Sequence, residues 1–329
     1  MIGLREDGTV VANGSNTNNK IQVDEWTDIV QIVAGSDYTA GLKSDGTLML
    51  SSKLESFYHD RKHFENVEEL SGCLSHLVGL KSDGTLVGTG WNGDRARDVG
   101  GYTDVKQAVA MMYDSDYFGA RKYMTVILTN DGKVHMTPLA GWDDIRLWLD
   151  NHTGPEEGQY HVAKIHGYYA GKIILETTDG RCHAVGGLGG VEQEDINRWN
   201  PNEIQKYFIG DSVLALKHDG TILCAGDNAS INIDVSKWTD VKDIAGGYHH
   251  VIALKEDGTV MAAGDTEYGR CDVENWKNVE RIYAGMYNSY GITEDGHIYA
   301  SGESEYGMTY LSKKNIFGVI KYILETTGE

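Results

Sequence analysis

The sequence predicts an all-β fold: a closed β-propeller of four-stranded antiparallel blades, seven or eight in number. Three observations carry this. Asp-Gly recurs at Asp7-Gly8, Asp45-Gly46, Asp83-Gly84, Asp131-Gly132, Asp179-Gly180, Asp219-Gly220, Asp257-Gly258 and Asp295-Gly296. Successive aspartates lie 38, 38, 48, 48, 40, 38 and 38 residues apart, and a period of this size marks a repeat architecture. Each pair sits between two short apolar runs, the strongest short-range signal of a β-hairpin. The two chain ends are complementary fragments of one repeat, which favours a ring over an open solenoid. Counting hairpins favours eight blades.

The clearest unit runs from Trp238 to Trp276. Residues 241–245 read as a first strand, 246–250 as a loop and 251–254 as a second strand. A tight turn at Asp257-Gly258 follows; matching strand twist needs positive φ, which Gly adopts freely and Asp tolerates. Residues 259–263 form a third strand, and a short outer strand around Cys271, Asp272 and Val273 closes the unit. Four strands of about five residues with their turns fill one period. The run Val251-Ile252-Ala253-Leu254 is apolar without alternation, as expected of a sheet covered on both faces. Small residues after the third strands (Ala262, Ala263 and Gly264; Gly88 and Gly90; Ala225 and Gly226) let neighbouring sheets approach.

The N-terminus begins at a second-strand position, Ile2-Gly3-Leu4, without a preceding inner strand. The C-terminus supplies surplus strands at 316–320 and 322–325, and residues 321–327 echo 172–178. A last blade built from both ends removes exposed sheet edges. Residues 1–329 are therefore read as one domain, with no linker or charge block interrupting the period.

Forty-nine acidic against 29 basic residues give a formal charge of −20. Such a surface repels phosphate backbones, and no basic stripe offsets it, so no nucleic-acid partner is expected. A basic patch on another protein is the better complement, and the acid excess also favours solubility. Cys73, Cys182, Cys224 and Cys271 lack Cys-x-x-Cys spacing, which argues for free thiols rather than a disulfide framework or a zinc site. No apolar stretch approaches a membrane span, and the start lacks a basic-then-apolar leader. The expected location is cytoplasmic, although a secreted chain whose leader has been removed would read the same.

Residues 244–264 (Ile-Ala-Gly-Gly-Tyr-His-His-Val-Ile-Ala-Leu-Lys-Glu-Asp-Gly-Thr-Val-Met-Ala-Ala-Gly) resemble the regulator of chromosome condensation repeat, and the likeness extends over nearly the whole chain. The short spacing is similar to that of bacterial members, including the propeller-type β-lactamase inhibitory proteins. The family usually forms seven blades. The resemblance implies a non-enzymatic, protein-binding ring, and the inhibitory relatives grip their target with aromatic residues from the first-to-second-strand loops.

Those loops emerge together on one face of a propeller. Here they carry Asp37 and Tyr38, Ser75 and His76, Tyr168 and Tyr169, Asp211, the run Tyr248-His249-His250, and Tyr287 with Asn288. Tyrosine suits recognition because it brings large area at low entropic cost, with a hydroxyl for orientation. These residues are the candidate partner-binding set, for inhibition or scaffolding. The alternative for some is a role in holding blades together, which the resemblance implies for His250.

Two repeats are ten residues longer than the shortest, 48 against 38. One insertion, around residues 111–123, would enlarge a rim loop. The other lies between Pro138 and Pro155, where Trp142, Ile145, Trp148 and Leu149 fall at helical spacing and predict a short amphipathic helix, either docking a partner or covering a blade edge. Trp26, Trp238 and Trp276, with Trp142 a looser match, recur once per repeat and are read as packing between blades.

Chemistry is sparse. His59 and His63 are four apart but have no third ligand, so no metal is expected. No hydrolase elbow, zinc-protease motif or phosphate loop is present, and no cofactor is implied. The turn aspartates are occupied by turn geometry. Two readings compete with protein binding. One is a lyase or hydrolase at the channel mouth, drawing on His76, His249, Asp37 and Asp211. The other is nucleotide exchange on a small GTPase, which the resemblance implies, although no segment matches that activity's wedge insertion.

Overall fold

The structure, a computed structural model, describes residues 1–57, 61–115, 120–138, 141, 143–167, 172–186, 193–210, 212–226, 235, 237–247, 249–303 and 320–324. Eight antiparallel sheets repeat around the molecule, each with a first, a middle and a third strand. The first blade joins Ile29–Ala34, Thr39–Lys43 and Leu48–Ser51, and the second joins Val67–Gly72, His76–Lys81 and Leu86–Gly90. The third blade joins Val105–Ser115, Ala120–Thr129 and Val134–Met136; the fourth joins Val162–Gly167, Lys172–Thr177 and Cys182–Gly186. The fifth blade joins Ile204–Ile209, Val213–Lys217 and Ile222–Ala225, and the sixth Val241–Gly246, His250–Lys255 and Val260–Gly264. In the seventh, Val279–Ala284, Asn288–Thr293 and Ile298–Gly302 pair.

The eighth blade is assembled from both ends of the chain. Ile2–Arg5 pairs with Val10–Ala12 on one side and with Ile320–Leu324 on the other, placing Ile2 opposite Leu324 and Gly3 opposite Ile323. Of the two C-terminal strands expected from the sequence, residues 316–319 and 325 lie outside the described residues.

Alternate side chains of each middle strand enter opposite inter-blade cores, and this closes the ring. Ile173 and Leu175 pack toward the third blade, while Ile174 packs toward the fifth. Leu214 and Leu216 join the sixth blade, whereas Val213 and Ala215 face the fourth. Ile252 and Leu254 meet the seventh. Met1 packs with Tyr290 and Ile292 of the seventh blade, and Ile2 and Leu4 pack with Ile29 and Ile32 of the first. Two further cores join the first blade to the second and the second to the third, so every sheet is buried between two neighbours. First strands of neighbouring blades run side by side and form the inner wall. There the Gln31 amide bonds both N–H and C=O of Leu70, each at 2.8 Å, stitching the first blade to the second. Gln107 does the same to Ile165, at 2.8 and 2.9 Å.

The expected fourth strand is absent from the repeats described throughout. Between Gly264 and Val279 the chain makes one 3-10 turn, Glu267–Gly269, with Tyr268 at φ 59°. Its backbone groups then close local turns, Val273 N–H donating to Cys271 and Trp276 N–H to Val273, which leaves no ladder to build. Residues 13–28 follow the same path, with Asn18 at φ 58°. After the third blade a helix, α1 (Asp143–His152), lies over the outer edge, burying Leu149 with Ile145 and Trp148 packed beside it. The helix expected from the sequence is thus a cover for the blade; Trp142 lies outside the described residues.

The Asp-Gly turns differ from the expectation in one respect. All eight glycines have positive φ, between 75° and 82°, but none of the aspartates does. In the sixth blade Gly258 N–H donates to Lys255 O and Lys255 N–H to Thr259 O, the pattern of a type I turn followed by a glycine bulge. The Asp257 carboxylate accepts from Thr259 N–H and from its hydroxyl, at 3.0 and 2.6 Å. The Gly258 carbonyl accepts from Val279 N–H, so the turn also ties its blade to the next. A Cβ at Gly258 would meet backbone of Asn278 and Val279 at 3.3–3.4 Å. Gly258→Val is therefore expected to cost about 1–3 kcal/mol, measured by denaturant unfolding; a change near zero would contradict this turn geometry.

All four cysteines are free thiols. Among the described residues no helix is long and apolar enough to cross a membrane.

Candidate functional site

The first-to-middle loops share one face with the segments that leave the third strands, and together they form a rim. The structure corrects four of the candidate residues there. Tyr38 is fully buried, and its hydroxyl donates to Cys73 O at 2.9 Å and lies 3.0 Å from His76 O, joining two blades. His76 is fully buried between Cys73 Sγ and Thr125 Oγ1, both at 3.1 Å. His250 is buried with Nε2 3.0 Å from Ser289 Oγ. Asn288 is buried too. The polar tips of Tyr38, His76 and His250 each bond the next blade and hold the ring together, and none of the four side chains presents surface.

Burial also sets their protonation. Desolvation pulls His76 down to about 3, and desolvation with the nearby Arg270 charge pulls His250 down to about 4. Both imidazoles are neutral near neutrality. Burial pushes the Cys73 thiol up to about 12.

Asp37, Ser75, His249 and Tyr287 are partly exposed. Asp37 is held by Asn18 Nδ2 at 2.7 Å and by the Ser36 hydroxyl at 2.9 Å. Tyr287 covers the Arg270 guanidinium, 5.3 Å from its ring, with Tyr268 at 5.7 Å. Tyr168, Tyr169, Asp211 and Tyr248 lie outside the described residues, as does His59. Among the described residues no group of three His, Cys, Asp or Glu could hold a metal.

Two of these residues, Asp37 and Ser75, meet in a pocket of about 310 Å³ over the first three blades, with Leu54, Phe57, Trp91, Arg121 and Tyr123. Trp91 is 44% exposed and stands edge-on to Tyr123, ring centroids 5.3 Å apart. Beside the pocket, the long strands Val105–Ser115 and Ala120–Thr129 form a hairpin. Its first strand has 11 residues where the second blade's has six, so the paired strands run about 16 Å longer at 3.3 Å per residue, with Met112 and Tyr123 buried against Ala96, Cys73 and Leu74. The described part of the insertion thus extends two paired strands rather than enlarging a loop.

Sequence reading missed Trp91 and Tyr268, and it held Arg121 and Tyr123 only as part of the 111–123 insertion. Trp91 and Tyr268, the latter 57% exposed, sit after third strands, outside the first-to-middle loops. The available signal was a bulky aromatic in Gly90-Trp91 and in the polar run 265–269.

At the seam between the fourth and fifth blades, a different set of titratable groups converges. His166 Nε2 lies 3.1 Å from Glu176, and Tyr207 OH lies 3.2 Å from Cys182 Sγ. Tyr207 also bonds Glu176, and burial with these neighbours raises its hydroxyl well above the usual range. Cys182 is fully buried with a raised pKa, so it is no nucleophile.

Comparison with known proteins agrees with this architecture. Residues 241–270, most of the sixth blade, match the family model "Regulator of chromosome condensation (RCC1) repeat". No curated protein matches in a whole-sequence search. The chain is similar in fold to the CRINKLY WD40 ectodomain of the Arabidopsis thaliana receptor kinase ACR4, with TM-score 0.55, 13% identity, 85% of this chain covered and 97% of that one. The ectodomain of the Physcomitrella patens receptor kinase CR4 gives TM-score 0.52, 15% identity and coverage of 82% and 72%. A chain in the crystal structure of Kap60 bound to yeast RCC1 (Prp20) gives TM-score 0.50, 14% identity and coverage of 94% and 90%. At these identities the likeness is one of fold.

Proposed function

We propose that this propeller, an RCC1-like repeat protein, is a non-enzymatic binding ring whose rim over the first three blades engages a folded partner protein. The observation that carries the reading is Trp91, exposed beside a pocket at the base of an extended hairpin. Large aromatics and arginine dominate binding energy when they enter a desolvated contact, and Trp91 and Arg121 supply both kinds here, with the buried Tyr123 backing the Trp91 ring. Asp37 and Ser75 orient the partner at the same pocket. His249, Tyr268 and Tyr287 extend the surface across the sixth and seventh blades. Yeast RCC1 bound to Kap60 gives a precedent for a ring of this kind meeting another protein.

The test is affinity capture with the tagged protein, followed by titration of the recovered partner. Trp91→Ala is expected to weaken binding at least tenfold, about 1.4 kcal/mol or more. Leu147→Ala, on the exposed side of α1 at the blade's outer edge, should leave it unchanged. Saturable binding that both variants retain would place the contact elsewhere, and recovery of no partner would remove the reading.

A second reading, nucleotide exchange on a small GTPase, is the one that the likeness to the RCC1 repeat implies. Nucleotide release that is unchanged by excess protein across a panel of small GTPases would dismiss it. The channel-mouth enzyme loses His76, which is neutral and enclosed.

A further inference from the structure

The inner wall of the third to seventh blades encloses a cavity of about 810 Å³, within the size range of sites for small molecules. The third and fifth positions of four first strands face it, Gln107 and Val109, Lys206 and Phe208, Asp243 and Ala245, Arg281 and Tyr283, while the fourth blade adds His166 from its fifth position. At the third position Gln31, Gln107 and Lys206 each bond the next blade. Gln107 bonds Ile165, and Lys206 reaches Asp243 at 2.6 Å. Arg281 departs from this pattern. Its Nε is buried without a hydrogen bond, and no carboxylate among the described residues pairs with it.

A guanidinium without a counter-charge in a partly enclosed space is costly, and an anion relieves that cost. The charge balance agrees. The chain carries −20 overall, yet the cavity is lined by two cations, Lys206 and Arg281, against one carboxylate, Asp243. Because Asp243 already holds Lys206, the remaining charge is that of Arg281. Around it the wall is aromatic and apolar, with Phe208 and Tyr283 at the same level as Ala245 and Val109.

We propose that the channel binds a small organic monoanion with a planar apolar body, its carboxylate paired with Arg281 and its ring lying against Phe208 and Tyr283. The site is separate from the rim and does not depend on a protein partner. The fork of Arg281 accommodates a carboxylate in two-point fashion.

The probe is benzoate, with benzamide as its uncharged isostere, titrated calorimetrically and by thermal unfolding of the full chain. Benzoate is expected to bind saturably at about millimolar concentration and to raise the melting temperature, while benzamide does neither. Arg281→Gln keeps a polar side chain at the position and should lower benzoate affinity at least tenfold. Without ligand, this variant should melt no lower than the parent, since it removes an unpaired charge. Should Arg281→Gln fail to fold, Phe208→Leu provides the second reading and is expected to weaken benzoate severalfold. Absence of saturable benzoate binding, equal binding of benzamide, or unchanged affinity in Arg281→Gln would each overturn the proposal.

Discussion

Acidification from about pH 7 to about pH 4 is expected to unfold the ring, chiefly through two histidines that the fold keeps neutral. His76 is held down to about 3 and His250 to about 4, against 6.5 for a free side chain. Above the free value both states are unprotonated and neither residue makes stability depend on pH. Below it the unfolded chain takes up two protons that the native chain refuses, so stability falls as pH falls. By about pH 4 each residue removes on the order of 3 kcal/mol, a large share of any domain's margin. His183, lowered chiefly by burial, acts in the same direction. The turn aspartates, lowered by their threonine bonds, add to the loss once the pH reaches the carboxylate range. The check is denaturant unfolding at a series of pH values, where the slope between about pH 6 and pH 5 should correspond to uptake of about two protons. A flat profile there would mean that these imidazoles are solvated in the native protein.

The second large effect is expected of Trp276→Ala. Trp276 lies 4% exposed between the sixth and seventh blades, in a core with Ile252, Leu254, Val260, Val279 and Ile282, and stacks on Tyr299 at 5.5 Å. Its ring occupies space left by a glycine of the middle strand: a Cβ at Gly291 would come within 2.8 Å of Cε3. Removing the indole opens a cavity at an inter-blade seam, and a loss of about 3–5 kcal/mol is expected. The glycine supplies an internal control. Gly291→Ala should destabilise the parent by overpacking but be neutral or favourable in the Trp276→Ala background. A double-mutant cycle would then give a coupling energy of compensating sign. Additive losses would show that the ring does not occupy that space. Trp26 against Gly41 repeats the geometry at 2.8 Å, so the pair is a property of the repeat.

The periodicity of Asp-Gly, the apolar middle strands and the complementary ends were legible because each is a local or end-to-end pattern. A hairpin needs only a few adjacent residues to declare itself, and a period needs only repetition. The fourth strand was misread for the same reason: residues 271–273 look extended in isolation, but their backbone groups are taken by turns that end at Trp276. At the rim, loop membership was legible and exposure was not. Tyr38 and Tyr287 occupy similar loops, yet the first is enclosed by its hydroxyl bonds to the second blade and the second covers an arginine at the surface.

Sequence alone thus determined the repeat, the strand order within each unit, the eightfold count and the shared final blade, because backbone geometry and alternating burial are written into neighbouring residues. Only the tertiary structure decided which rim groups face outward, that strand pairing continues through residues 111–115 and 120–123, and that no carboxylate among the described residues pairs with Arg281 on the inner wall. Those outcomes depend on what the adjacent blade places opposite each side chain, 39 to 58 residues away, and no local pattern encodes that.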